Sequence, residues 1–352
     1  YLLNWNKNVV TLNHDNRNMS LYYAGFNTGT LFSDNDEVVF AIDSFVKIQF
    51  PGVTDFQIGW GYFLLWRGKE LYICMKGLEN GTDTNTDIRL IQIPGKPLDR
   101  YVILSRDIET WQYKIYKNSW RKVTNFIPRN DSENEYPLKI LQGGCTVVLT
   151  NLGRAFNVPT LVEMPKRVKF TDIACGFDHT ILLAENGDIY SMGMGTRGQL
   201  GHNDLEDCDN PRLVEALAGL KVVQISAMGW HSAVVTDQGD LYTWGWNTNG
   251  ELGLPTKDCK VVAVPTVVDF TNVQNEKIET LVKKVECGNT FTVCILDDGT
   301  LWGCGSNKYG QLGQPREALP SSPKFVKLDV PVISARIKDF KCREWGTMLV
   351  TD

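Results

Sequence analysis

The amino-acid sequence predicts an all-β fold, a seven-bladed β-propeller, from a repeated hairpin, the spacing of its copies and the two ends of the chain. Residues 230–253 contain two apolar runs joined by the turn Asp237–Asp240, a pattern typical of antiparallel strands. Related copies place His179, His231 and Phe291 at equivalent positions, 52 and 60 residues apart, with a turn glycine eight residues after each. A constant hairpin with connections of variable length predicts the blades of a propeller.

The two ends of the chain carry complementary halves of the repeat. Residues 21–29 match the strand that ends in WGWN in the central copy, and residues 340–350 match the part that begins a copy. We expect these halves to pair and close the ring, because closure removes exposed sheet edges. Seven blades follow from counting the positions equivalent to His231, which are Tyr62, a position near Trp111, Cys145, His179, His231, Phe291 and Gly346.

The chain is predicted to form one propeller domain over residues 21–352. Residues 1–20 are rich in asparagine and lack the repeat, so we interpret them as an extension or as a peptide that docks on the body or on a partner. In the diverged first half, strands are predicted at residues 58–65, 70–74, 101–104, 111–116 and 141–149, and polar loops at 76–87 and 125–136. The blade near residues 88–120 lacks the repeat glycines and is inferred from spacing alone.

Composition and charge argue against several classes of protein. The formal net charge is −5 and the basic residues are scattered, so direct nucleic-acid binding is not expected. We find neither a signal peptide nor the ~20 consecutive apolar residues of a membrane span, so no membrane association is predicted. The nine cysteines include no Cys-x-x-Cys pair, which indicates reduced, mostly buried thiols and favours the nucleus or the cytosol.

The histidines predict structural roles rather than catalysis. Phe291 and Cys145 occupy the position of His179 and His231 in other copies, and a catalytic base could not be replaced by phenylalanine. We expect both imidazoles to hydrogen-bond the backbone of a neighbouring strand or loop. No catalytic residue, metal site or cofactor is predicted, because no histidine has ligand-like partners and the G-x-G-x-x-G run at residues 193–198 is followed by no helix. The acidic segment at residues 204–209 is interpreted as a solvated loop.

Several motifs resemble those of the regulator of chromosome condensation repeat family, whose members fold as seven-bladed propellers. They are Cys175-Gly176 with His179-Thr180, the WGWN run at residues 244–247, and the GQLG blocks at residues 198–201 and 310–313. The resemblance is strong over residues 140–350, looser over 21–75, and mainly positional over 76–139. The sequence looks most similar to a short metazoan branch of single-propeller members.

That resemblance implies a non-enzymatic interaction module, a monomeric propeller in a hetero-complex with a JmjC-domain oxygenase that acts on histones or other proteins. The implied role is in chromatin regulation and chromosome segregation, with the nucleus as the main location and the cytoplasm as a second one, and with chromatin contacted only indirectly. Two alternatives come from other family members. One is guanine-nucleotide exchange on a small nuclear GTPase, for which the sequence offers no clear projecting wedge. The other is partnership with a small metal-binding protein in tRNA modification.

Partner binding is predicted on loops at the ends of the blades, where a rigid scaffold presents variable side chains. Large aromatic residues and arginine dominate interface energetics, so residues of this kind beside the glycine turns are the candidates. The candidate partner-binding residues are Trp246, Asn247, Arg197, Lys308, Tyr309 and Trp230. Among them, Arg197, Asn247 and Lys308 are expected to be exposed, whereas each aromatic residue is either a core residue or a contact.

Overall fold

The computed structural model describes residues 19–27, 41–59, 62–68, 70–74, 88–92, 101–106, 109–114, 119–122, 135–142, 146–158, 160–164, 168–254, 260–331 and 336–352. Residues 1–18 of the predicted extension, the predicted loop at 76–87, most of the loop at 125–136, and Cys145 lie outside these described residues.

The described residues form 27 β-strands and a short 3-10 turn at residues 215–217, with no α-helix. The strands are β1 (Ser20–Phe26), β2 (Ala41–Ile48), β3 (Asp55–Gly59), β4 (Tyr62–Arg67), β5 (Glu70–Cys74), β6 (Ile88–Gln92), β7 (Tyr101–Arg106), β8 (Glu109–Lys114), β9 (Ser119–Lys122), β10 (Pro137–Gln142), β11 (Thr146–Thr150), β12 (Ala155–Asn157), β13 (Thr160–Leu161), β14 (Phe170–Cys175), β15 (His179–Ala184), β16 (Ile189–Gly193), β17 (Cys208–Leu213), β18 (Val222–Met228), β19 (His231–Thr236), β20 (Leu241–Trp246), β21 (Val261–Val267), β22 (Val282–Cys287), β23 (Phe291–Leu296), β24 (Leu301–Ser306), β25 (Ser321–Lys327), β26 (Ile337–Arg343) and β27 (Gly346–Thr351).

These strands form antiparallel sheets that repeat along the chain, which confirms the predicted all-β propeller class. Five sheets contain four strands in chain order, namely β6–β9, β10–β13, β14–β17, β18–β21 and β22–β25. The blade predicted only from spacing near residues 88–120 is therefore a four-stranded sheet. A sixth four-stranded sheet joins the chain ends, and β3–β5 forms a sheet of three strands. Because this last sheet has three strands in the described residues, a count of seven complete blades stays a prediction.

The sheet that joins the chain ends has the order β2-β1-β27-β26, so the predicted closure by N- and C-terminal halves is confirmed. Each end contributes two strands. In the β1–β27 pair, Leu21 faces Val350 and Gly25 faces Gly346. Gly25 has φ +134°, and a Cβ atom there would lie 2.3 Å from the Trp345 carbonyl oxygen. Glycine is therefore required at the point where the two ends meet.

Two stretches that were predicted as single strands each form two strands. The predicted strand at 58–65 divides into β3 and β4, and the predicted strand at 141–149 divides into β10 and β11. In the sequence, glycine stands between the two strands in both cases, Gly61 in the first and Gly143 and Gly144 in the second. Glycine weakens a strand interior and favours a turn, so an apolar run that contains it does not have to continue as one strand.

The innermost strands of successive sheets pack against one another, in the order β6, β10, β14, β18, β22, β26 and β3. Lysine side chains connect several of these strands across the sheet boundary. Lys284 Nζ on β22 donates to Asp339 Oδ1 at 2.6 Å and to the Phe340 carbonyl oxygen at 2.6 Å on β26. Lys341 Nζ on β26 makes the same pair of bonds to Asp55 and Phe56 on β3. These bonds fix the inner strands of neighbouring sheets relative to each other.

The core clusters of the described residues lie between neighbouring sheets. Every residue of β15, β19 and β27 is buried, as expected for strands that are covered on both faces. Trp244 is fully buried and packs in a cluster with Leu183 and Val234. Replacing such a side chain by alanine typically costs ~3–5 kcal/mol. Loops at the ends of the sheets are therefore presented by a rigid body.

Candidate functional site

Equivalent residues of neighbouring repeats gather at one end of the sheets, which we call the aromatic end. β19 begins at His231 and β20 ends at Trp246, so Trp230 and Trp246 lie side by side, and the Trp246 N–H donates to the Trp230 carbonyl at 2.9 Å. Phe26 makes the same bond to Trp345 at 2.9 Å in the closing sheet. The opposite end of the sheets, with the turn Asp237–Asp240, is called the turn end.

The first group at the aromatic end consists of Arg197, Trp230 and Trp246, and we call it the Arg197 clamp. The Arg197 guanidinium carbon lies 4.1 Å from the Trp230 ring centroid and 5.7 Å from that of Trp246. Phe177 packs edge-on against Trp230 with centroids 5.1 Å apart, and Trp230 Nε1 donates to Asp178 Oδ2 at 3.3 Å. Arg197 comes from the loop after β16, whereas both tryptophans belong to the next sheet. The clamp therefore spans the junction between two sheets.

The second group consists of Phe26, Lys308, Tyr309 and Trp345, and we call it the Tyr309 cluster. Tyr309 precedes a GQLG block as Arg197 does, and its ring lies 5.9 Å from Trp345 and 4.7 Å from Phe26. Lys308 is exposed, with Nζ 5.4 Å from the Tyr309 ring. The cluster therefore repeats the arrangement of the Arg197 clamp at another sheet junction.

Between the two groups lies a polar junction. Asn249, Thr290 and Ser306 occupy there the repeat positions of Arg197, Trp230 and Trp246. The Ser306 N–H donates to the Thr290 carbonyl at 2.8 Å, the bond that Trp246 makes to Trp230. The fold therefore tolerates small polar residues at these positions, and the aromatic residues of the Arg197 clamp are not required by the backbone.

Asn247 differs from the other candidate residues. Its expected exposure is wrong, because it is 9% exposed. Its side-chain Oδ1 accepts the Leu252 N–H at 3.1 Å, and its own N–H donates to the Lys260 carbonyl at 2.8 Å. Asn307 makes the equivalent bond to Leu312 at 2.9 Å in the next repeat. Burial of this amide follows from its role in ordering the loop after the third strand.

His179 and His231 link neighbouring sheets from buried positions. His179 Nε2 lies 2.8 Å from Ser232 Oγ, and His231 Nε2 lies 2.8 Å from Thr292 Oγ1. The expected backbone acceptor is thus wrong, since the partner of each imidazole is a side-chain hydroxyl on the following sheet. Thr292 Oγ1 donates its single proton to the Glu251 carbonyl oxygen at 2.6 Å, so His231 must donate from Nε2. Burial lowers the pKa of both histidines to about 3, so they stay neutral at physiological pH.

Glu251 is a buried carboxyl group that the sequence analysis missed. It occupies the position of Gln199 and Gln311 in the neighbouring repeats, and it is 1% exposed. Its Oε2 accepts the Asn249 N–H at 2.6 Å. Burial raises the pKa of Glu251 to about 7. The comparison of GELG with the two GQLG blocks is the sequence signal that could have identified it.

A projecting hairpin at the turn end was also missed. The connection between β21 and β22 spans residues 268–281, and Val273 at its tip is 90% exposed. Asn272 Oδ1 accepts the N–H groups of Gln274 and Glu276, each at 2.9 Å, which closes the tip. Phe270 at the base is buried in the core beside Trp302 and Phe325. The hairpin is therefore anchored and ordered, although its sequence lacks the alternation of a long strand pair.

The part of the chain that the structure describes contains few residues that could bind a metal ion or react as a thiolate. No group of three His, Cys, Asp or Glu residues in that part could hold a metal ion. Cys175, Cys287, Cys294, Cys304 and Cys342 are free and buried, and Cys208 is free and partly exposed. Burial raises the pKa of the Cys287 thiol to about 12, so this thiol stays protonated. Among the described residues no helix has the length and apolar character of a membrane span.

Sequence comparisons match the repeats directly. Models of the regulator of chromosome condensation (RCC1) repeat match residues 186–235, 238–295 and 298–350, and a second model of the same repeat matches residues 170–199, 222–251 and 282–311. The chain is 30% identical over 256 residues to human RCC1 domain-containing protein 1, covering 63% of this chain and 67% of that protein. It is also 37% identical over 162 residues to the human E3 ubiquitin-protein ligase HERC2, covering 45% of this chain and 3% of that protein.

A solved structure has the same fold. Prp20p from Saccharomyces cerevisiae, described together with its binding to Gsp1p and histones, superposes with a TM-score of 0.72. The superposition covers 95% of this chain and 91% of that one at 14% sequence identity. At this identity the likeness establishes the fold, while binding properties must be argued from the side chains at the ends of the sheets.

Proposed function

We propose that this chain, which belongs to the regulator of chromosome condensation (RCC1) repeat family, is a non-catalytic protein-interaction module. The aromatic end is its binding surface. The Arg197 clamp is the observation that carries this proposal. It combines two partly exposed tryptophans with an arginine, the residue types that most often dominate binding energy.

The chemistry of the remaining residues supports a binding role. His179 and His231 are buried, and Nε2 of each lies 2.8 Å from a hydroxyl oxygen of the next sheet. Polar side chains at these positions therefore serve the junctions between sheets. The partly exposed Trp230 and Trp246 stand instead at a turn and at a strand end that the buried strands hold in place, an arrangement that suits recognition.

The proposed partner is a JmjC-domain oxygenase, which the family resemblance implies. The chain would bind this enzyme through its aromatic end and change the enzyme's stability, placement or access to substrate. It would thereby support chromatin regulation and chromosome segregation in the nucleus, and would contact chromatin only through the partner. The chain itself would perform no chemical step.

Affinity purification of the tagged chain from cells, followed by mass spectrometry, tests this partner. A JmjC-domain oxygenase should co-purify, and calorimetry with the two purified proteins should give direct binding. The double variant W230T/W246S should weaken binding at least tenfold, whereas V273S at the turn end serves as the matched control. Failure to recover such an oxygenase, or equal binding by W230T/W246S, would contradict the proposal.

A second candidate function is guanine-nucleotide exchange on a small GTPase, and the hairpin at residues 268–281 is the observation that favours it. An ordered projection with the exposed apolar tip Val273 has the form of a wedge, which the sequence analysis did not find. If this function holds, the chain should accelerate release of a fluorescent nucleotide from a small nuclear GTPase, and V273D should abolish the acceleration. Equal release rates with and without the chain would exclude it for that GTPase.

A further inference from the structure

We propose that the Arg197 clamp is a carboxylate-binding site that recognises an acidic segment of a protein partner. This inference rests on the interaction function proposed above and names the chemistry of the partner at that surface.

The geometry of Arg197 prepares it for this role. A guanidinium group that stacks on an aromatic ring uses its face, whereas its N–H donors lie in its plane and point outward from the edge. At 4.1 Å from the Trp230 centroid, the Arg197 guanidinium is held by such a contact while its donors remain available. Its backbone N–H is bound to Gln199 Oε1 at 2.8 Å, which fixes the start of the side chain. A carboxylate could therefore bind both donors of the fork at a small entropic cost.

Three other arginines of the described residues have carboxylate partners. Arg154 pairs with Glu135, and Arg212 pairs with Asp204 at 2.8 Å. Arg316 pairs with Asp43 at 2.5 Å. Arg197 makes no salt bridge within the described ranges, although acidic residues lie close to it in sequence. Its charge is thus available to a carboxylate from another molecule.

The Tyr309 cluster provides a second cation on the same surface. Lys308 makes no salt bridge to a described residue, and its Nζ lies 5.4 Å from the Tyr309 ring. The junction between the two groups is lined by the uncharged residues Asn249, Thr290 and Ser306. The best fit is therefore a segment with two carboxylates that are separated by uncharged residues.

The acidic loop beside Arg197 favours a protein segment over a nucleic acid. Glu206, Asp207 and Asp209 are exposed in the connection that follows Arg197. A nucleic-acid strand carries a phosphate at every nucleotide and would bring several negative charges close to this loop. A protein segment can place single carboxylates at the cations and uncharged or basic residues near the loop. The net charge of −5 likewise disfavours a nucleic acid as the partner.

The neighbouring repeat supplies a matched variant for the test. R197N/W230T/W246S introduces the residues that occupy the same positions at the polar junction, so the backbone should accept them. A phage library of random dodecapeptides is selected against the folded full chain and against this variant. Peptides selected on the unchanged chain should be enriched in Asp and Glu relative to those selected on the variant. Calorimetry should show ~10- to 100-fold weaker binding when these acidic residues are changed to Asn and Gln.

Single variants keep the test decisive if the triple variant does not fold. R197K retains the charge but loses the planar fork, and R197N removes both while leaving the tryptophans in place. Each should bind the selected acidic peptides at least tenfold more weakly, with a thermal midpoint close to that of the unchanged chain. Binding of the acidic peptides should also weaken with increasing salt.

Two results would overturn the carboxylate site: selected peptides without acidic enrichment, including peptides enriched in basic residues, or unchanged affinity of R197N for acidic peptides. A JmjC-domain oxygenase that still binds through Trp230 and Trp246 would leave the interaction function standing without this chemistry. Acidic enrichment without any binding of an oxygenase would support the carboxylate site and contradict the proposed oxygenase partner.

Discussion

His231 donates from Nε2 to Thr292 Oγ1 at 2.8 Å, which makes an imidazole of one sheet the partner of a hydroxyl on the next. The hydroxyl in turn donates to the Glu251 carbonyl oxygen at 2.6 Å. Thr292, on the second sheet of this junction, therefore makes two hydrogen bonds to residues of the first sheet. Because all three residues are buried, the imidazole N–H would have no alternative partner in water.

Removal of this hydroxyl should therefore destabilise the fold. T292V keeps the shape of the side chain but leaves the His231 N–H unpaired, and should lower the free energy of unfolding by about 1–3 kcal/mol. T292S retains the hydroxyl and should cost clearly less. Urea unfolding followed by tryptophan fluorescence measures both, and equal losses for the two variants would show that the hydrogen bond contributes nothing.

Glu251 should make stability depend on pH. Its pKa is about 7 in the folded chain, above its ordinary value of 4.5, so the folded state retains a proton that the unfolded state loses. Its contribution is fully present below about pH 4.5 and is lost as the pH rises through 7. E251Q, which introduces the residue of the sister repeats, should therefore gain about 1–3 kcal/mol more stability at pH 8 than at pH 5, relative to the unchanged chain.

Unfolding of both proteins at pH 5 and pH 8 provides the measurement. The histidines, whose pKa values are lowered to about 3, titrate equally in both proteins, so the difference isolates Glu251. A pH-independent difference between the two proteins would refute this account of the carboxyl group.

Closure of the ring depends on Gly25. In G25A the new Cβ would meet the Trp345 carbonyl oxygen at 2.3 Å in a backbone conformation with φ +134°. We expect a loss of roughly 3 kcal/mol or more and faster proteolysis near the chain ends. G299A also has a positive φ, +85°, but meets nothing within 4 Å, and should cost about 1 kcal/mol. Similar losses for both variants would show that steric closure at Gly25 is unimportant.

The inner-strand lysine Lys284 should matter more than an exposed lysine. K284M leaves Asp339, whose side chain is 15% exposed, without its cation, and should cost about 2–4 kcal/mol. K277M removes the exposed pair with Asp269, where both side chains are about 60% exposed, and should cost clearly less because water screens the pair. Chemical unfolding in low salt measures the free energy of unfolding of both variants. A smaller loss of stability for K284M than for K277M would contradict the proposal that Lys284 fixes the inner strands of neighbouring sheets relative to each other.

Much of the fold follows from the sequence because the repeat specifies it locally. The turn glycines, the apolar strands and the complementary chain ends were sufficient to predict the sheets and the closing pair β1–β27. The divisions of the stretches 58–65 and 141–149 into two strands each were not predicted, because an apolar run alone does not indicate where a strand ends. The unit over residues 58–74 was predicted with two strands and has three in the described residues, because residues 21–75 match the repeat only loosely.

The candidate site could be predicted only in part. Arg197, Trp230 and Trp246 come together because equivalent repeat positions meet at sheet junctions. Comparison of the repeats within the chain shows that these positions are equivalent but not which side chains make contact across a junction. Asn247 was misjudged, because whether an amide after a glycine turn is exposed depends on which N–H groups need an acceptor. The hairpin at Val273 was missed, because its order comes from the hydrogen bonds of Asn272 rather than from an alternating pattern.

The central claim is that the aromatic end holds the protein partner. Quantitative mass spectrometry of affinity purifications, comparing the unchanged chain with R197N/W230T/W246S at equal expression, tests it most directly. We predict that a JmjC-domain oxygenase is among the co-purified proteins and that its recovery falls at least tenfold with the variant, while V273S recovers it fully. Equal recovery of the oxygenase by the unchanged chain and the folded triple variant would contradict the claim.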